Sequence, residues 1–132
     1  MAKIHFLRVC EYAGEDKEDP TKISITRIYE KLELPEIPYS KEDFCVVSEW
    51  AGNPGEKFTP SVVIALPDPK ADGRIFVVPE VTLPPNGVAF CVSRIQGQNV
   101  FTMVGNYRIA VIADNNPAER GILLPVSKII AH

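Results

Sequence analysis

Between Phe58 and Leu66 the apolar residues fall on alternate positions. Phe58, Val62, Ile64 and Leu66 share one side, while Thr59, Ser61, Val63 and Ala65 share the other. A period of two is what a half-buried strand requires and what a helix cannot satisfy. The same alternation returns in Lys22–Thr26, in Val88–Ser93 and in Tyr107–Ala113. Twelve prolines and eight glycines are spread over the 132 residues rather than gathered in a linker. They form turn signals at Gly52-Asn53-Pro54-Gly55, at Pro67 to Gly73, at Pro84-Pro85-Asn86-Gly87, near Gln96 to Asn99 and at Asp114 to Pro117. Their spacing of roughly 8–12 residues is that of sandwiches and barrels.

The pattern predicts an all-β chain, folded as a single domain over residues 1–132. The expected architecture is an antiparallel two-sheet β-sandwich of about eight or nine strands with little helix. A short helix over Arg27–Leu32 is the weaker reading, because the β-branched density there favours a strand. Ile4–Tyr12 has apolar residues on both faces, which predicts cover on both sides. Phe44, Val46 and Trp50 form one row with Ser48 among them, and Cys45, Val47 and Glu49 form the other. Pro60 lacks a backbone donor, so its strand belongs at an edge or starts pairing only after it. Val62, Ile64, Phe90 and Ile109 are expected to face the interior.

Composition closes several routes to function. Hydrophobic residues make up 45% of the chain and the formal net charge is −3, which excludes wholesale disorder. No apolar run approaches the roughly 18 residues of a membrane helix. Lys22, Arg27, Lys31, Arg74, Arg94 and Arg108 are scattered, with no basic stripe to neutralise phosphates, so nucleic acid is not an expected partner. The opening residues are charged again too soon for a signal peptide. Cys10, Cys45 and Cys91 cannot all pair within one chain, and all lie in apolar runs. Three reduced, buried thiols in a cytoplasmic protein are the expectation, although spacing leaves a disulfide between any two open.

Residues capable of chemistry are sparse. His5 and His132 are the only histidines, and neither is placed for a Ser-His-Asp arrangement. No His or Cys spacing announces a metal, and no glycine-rich loop a phosphate. Glu15, Asp16, Glu18 and Asp19 lack the spacing of a calcium loop and enclose Lys17, so they read as a solvated hairpin tip. Asp68, Asp72, Asp114, Asn115 and Asn116 are ordinary turn formers. No cofactor is expected. Trp50 is the one ambiguous large residue. Beside Tyr12, Tyr29 or Tyr39 it could stack a sugar or another flat ligand, but its row with Phe44 and Val46 favours a core anchor. An enzyme would have to run on carboxylates such as Glu49 or Glu80, and no pair is identifiable.

Gly105-Asn106-Tyr107-Arg108-Ile109-Ala110-Val111, followed by a loop and a closing strand, resembles the last hairpin of immunoglobulin-like sandwiches. In those folds the tyrosine hydroxyl bonds a nearby backbone group. The wider layout resembles an uncharacterised family of small bacterial proteins assigned as a domain of unknown function. Cys10-Glu11-Tyr12, Lys22-Ile23-Ser24-Ile25, Leu34-Pro35 and Phe44 to Trp50 carry that likeness. It implies an immunoglobulin-like sandwich and no chemistry. The expected function is therefore a non-catalytic structural or protein-interaction module. Self-association or a protein partner would use apolar outer residues, with Val47, Val63, Val78, Ile95 and Ile112 as candidates. The alternative is a carbohydrate- or small-molecule-binding module built on Trp50, Tyr12 and Tyr39.

Overall fold

The computed structural model describes residues 2–19, 22–37, 43–96, 100–114 and 121–129. Among them it has eleven strands and no helix: β1 Lys3–Glu15, β2 Ile23–Ile28, β3 Leu32–Leu34, β4 Asp43–Ala51, β5 Lys57–Phe58, β6 Pro60–Ala65, β7 Arg74–Val77, β8 Val81–Thr82, β9 Val88–Gln96, β10 Gly105–Ala113 and β11 Gly121–Lys128. One sheet has the order β2-β1-β4-β9 and a second the order β3-β11-β10-β6-β7, while β5 and β8 pair separately. The count exceeds the expected eight or nine because β3, β5 and β8 have only two or three residues, too few to display a period. Tyr39, His132, Asn115, Asn116 and the expected turn at residues 97–99 lie outside the described residues.

Every pairing is antiparallel except one: β3 lies parallel to β11, with Val126 opposite Leu32. A three-residue strand next to a distant partner leaves no local trace of its direction. The helical reading of Arg27–Leu32 fails. Arg27 has a φ of 53°, and the chain turns there before entering β3. Pro60 opens β6, which lies between β10 and β7 in the interior of its sheet. The proline is tolerated because it is the first residue of the strand; its carbonyl accepts a bond from Val78 N at 3.0 Å.

Both larger sheets contribute to one apolar interior. Ile4, Leu7, Val9, Phe44, Val46 and Trp50 come from the first, and Val62, Ile64, Tyr107, Ile109, Val111 and Leu124 from the second. Ile4 and Leu7 can both point inward, despite being three apart, because the β1–β4 register shifts between Ile4 and Phe6. Burying each such aliphatic side chain contributes about 1.5–3 kcal/mol. Phe101 closes one end of this interior, its ring centroid 5.0 Å from Phe44 and 5.4 Å from Tyr107. Val62, Ile64 and Ile109 are inside as the alternation predicts, but Phe90 is not: it is 41% exposed on the outward row of β9. The inward row of β9 is Ala89, Cys91 and Ile95. Both rows of that strand are apolar enough to serve, and β4 alone decides which one faces in.

The Tyr107 hydroxyl is buried and donates to Met103 O at 2.8 Å while accepting from Met103 N at 3.2 Å. It holds the turn before β10 by a side chain where no ladder is available. Tyr107→Phe should lower unfolding free energy by about 1–3 kcal/mol in denaturant titration, since both Met103 backbone groups lose their partner. Glu56 performs a similar task at the other end. Its carboxylate accepts the backbone N–H of Ala2 and, at 3.2 Å, that of Asn53. Desolvation pushes this carboxyl up, but the bonds from Asn53 and Ala2, together with the positive charge of the amino terminus, hold it below its ordinary value. The unfolded chain therefore takes up this proton first as pH falls. The contribution is present above about 4.5 and lost as pH drops through the folded value. Glu56→Gln should flatten the acid limb of a melting-temperature profile and leave its neutral region less affected.

Candidate functional site

The middle of β4, from Phe44 to Ser48, is buried on both faces. Its inward row joins the main interior, and its outward residues Cys45 and Val47 are also buried, in a second cluster with Cys10 and Ala13. The cover comes from the far half of β1. From Cys10 onward β1 pairs with β2 instead of β4, and Ala13, Ile23 and Ile25 of that hairpin pack with Val47 and Val92. The β1–β2 hairpin is thus a flap over the outside of its own sheet. Arg94 on β9 places its guanidinium carbon 5.2 Å from the centroid of Tyr12, a cation–π contact that ties flap to sheet. Gly14 admits the Tyr12 ring: a Cβ there would lie 2.8 Å from the Tyr12 hydroxyl.

Where the flap ends, a cleft opens. It has a volume of about 530 Å³, with Glu15, Lys22 and Ile23 on the flap side, Pro84 and Asn86 on the turn before β9, and Val88, Phe90 and Val92 on β9. Val88 and Phe90 are exposed. A second groove of about 470 Å³ runs between β7 and β9, lined by Ile75 to Pro79 and by Val92, Ser93 and Arg94. β9 separates the two. It pairs with β4 along nine consecutive register positions without a bulge. Among the described residues no strand pairs its other side. Alternate residues of such an edge direct N–H and C=O groups away from the sheet.

The outer face of the second sheet is also apolar. Ile75 and Val77 on β7 are 69% and 72% exposed. Val77 is opposite Ser61 and Ile75 opposite Val63; Ser61 and Val63 in turn face Ile112 and Ala110. Val63 and Ile112 therefore contribute to an outer surface as expected. Val47 and Ile95 do not, because the flap covers one and the other faces the main interior. Val78 is half-buried against that interior.

Of the residues nominated for ligand stacking, Trp50 and Tyr12 are not brought together as a platform. Trp50 is 3% exposed, packs on Phe58 at 4.9 Å and donates Nε1–H to Ser48 Oγ at 2.9 Å. A ring enclosed on this row offers no face to a ligand, so the platform reading of Trp50 is withdrawn. Tyr12 is half-exposed, but Arg94 and Gly14 occupy its surroundings. The residues that do line a cleft, Val88 and Phe90, escaped the sequence reading because their alternation looks the same as that of a core row. The second apolar row on β9 was the available signal.

Among the described residues no cluster of three His, Cys, Asp or Glu side chains is suited to a metal. Burial pushes the Cys91 thiol up to about 11, against an opposing bond with Ser48. Burial and the neighbouring Cys45 push Cys10 up to about 11 as well, against a bond to the Tyr12 carbonyl. Such thiols hold little thiolate near neutral pH and are poor nucleophiles. No family model matches the chain, and no curated protein matches it. Acrylamide should quench the single tryptophan weakly in the folded protein and several-fold more strongly after unfolding. Equal quenching in both states would contradict the enclosed position of Trp50.

Proposed function

We propose that this chain is a non-catalytic protein-interaction module, an immunoglobulin-like β-sandwich whose β9 edge receives an extended segment of a partner. The observation that carries the reading is β9 itself. A long, regular edge without proline or bulge, with Val88 and Phe90 exposed beside it and a cleft on either side, supplies what strand addition uses. Main-chain bonds give affinity, and neighbouring pockets take alternate side chains. The immunoglobulin-like assignment is supported by the Tyr107 hydroxyl bonding Met103 and by the β3-β11-β10-β6-β7 order. The likeness to small bacterial proteins belongs to the same reading.

The partner is a protein segment or a second copy of the chain. Scattered basic residues and a net charge of −3 argue against nucleic acid. A cytoplasmic location is supported by three cysteines without an exposed thiol among them. The 530 Å³ cleft favours a second reading, a small-molecule-binding module using Phe90 in place of Trp50, since ligand pockets span roughly 300–1,000 Å³.

A displayed library of linear peptides tests the first reading. Wild-type chain should enrich extended apolar peptides. Phe90→Lys and Val88→Lys should each weaken them about tenfold, or about 1.4 kcal/mol, with an unchanged circular dichroism spectrum. Failure to enrich any peptide, or binding indifferent to both substitutions, would refute it; sugar or metabolite binding lost in the same variants would favour the second.

A further inference from the structure

Cys10 on β1 and Cys45 on β4 stand directly opposite each other in an antiparallel pair. Both are free and fully enclosed under the flap. The third cysteine cannot compete for either: Cys91 is opposite Ser48 and faces the main interior, across the sheet from this pair. Cys10 also holds a particular position in the chain. It is the last residue of β1 paired with β4 and the first paired with β2, opposite Ile28. It is the joint at which the flap leaves the sheet.

We infer that Cys10 and Cys45 form a reversible cross-strand disulfide that clamps the flap to β4. Directly opposed residues of antiparallel strands have Cβ atoms about 4.5–5.5 Å apart. A disulfide needs about 3.5–4.5 Å, so the strands must draw together slightly at this one rung. A bridge made with such adjustment is more readily reduced than an unstrained one, which suits a reversible device.

The oxidant is a low-molecular-weight disulfide of the glutathione type. One cysteine thiolate attacks its S–S bond, expelling one small thiol and leaving a mixed disulfide on the protein. The second cysteine thiolate then displaces the second small thiol. Two protein S–H bonds are lost and one S–S bond forms; the reagent's S–S bond accepts the two electrons and the two protons, giving two thiols. Because the flap covers both sulfurs, the reaction proceeds through openings of the flap, and burial of Cys10 keeps the closed form unreactive.

The test uses the full chain, folded, in oxidised glutathione, with free thiols then blocked by alkylation and the peptides mapped without reduction. A single intramolecular Cys10–Cys45 link is expected, independent of protein concentration and reversed by dithiothreitol, with Cys91 still reduced. A Cys91→Ala variant should form the same link. Amide exchange over residues 12–14 and 23–25 should slow several-fold in the oxidised chain. Three free thiols after oxidation of the folded chain, or links that include Cys91, would overturn the pairing. A Cys10–Cys45 link that leaves flap exchange unchanged would overturn the clamp.

Discussion

The arrangement depends on the middle of β4 being buried on both faces. A strand in an antiparallel sheet usually turns one row of side chains to water. Here the outward row carries Cys45 and Val47 before Glu49 reaches water, and leaving the first two bare would forfeit their hydrophobic stabilisation. The far half of β1 supplies the cover by leaving β4 at Cys10 and returning with β2 as a flap. The contact between Arg94 and Tyr12 and the cleft at the flap's end belong to this cover, whereas β1 itself is not covered on both sides as its apolar residues predict: His5, Arg8 and Tyr12 are exposed.

The flap also determines which surface remains available. It shields the middle of the first sheet and stops short of Val88 and Phe90, leaving the beginning of β9 accessible. On the far side of β9 the short β7 ends the second sheet, with Ile75 and Val77 turned outward. An edge of this length is one that proteins generally protect by charge, proline or a bulge, because unpaired backbone groups attract another strand. Arg94 is the only charged residue in β9, and Tyr12 already engages it. Accessible backbone with apolar neighbours gives the interaction reading its physical basis.

Much of the secondary structure was legible because burial on one face imposes a period of two. Phe58 to Leu66 displays that period directly, and its rows fall as the alternation predicts. The bond of Tyr107 was not legible from periodicity; only the resemblance of its Gly-x-Tyr to the last hairpin of immunoglobulin-like sandwiches suggested it. The candidate site was hardly legible at all. Phe90 and Cys91 alternate on a strand whose two rows are both apolar, so periodicity cannot say which row is inside. Trp50 was better placed by its own row, since Phe44 and Val46 share it.

The chain's own pattern determined that it forms short strands and where most of them turn. These properties are local, set by side-chain alternation and by the backbone restrictions of proline and glycine. Only the tertiary structure decided that Cys10 meets Cys45, that a parallel β3 lies beside β11, that β1 folds back as a flap, and that β9 is the last strand of its sheet among the described residues. Each depends on contacts between segments far apart in the chain, where the interior accepts whichever apolar row its neighbours leave uncovered.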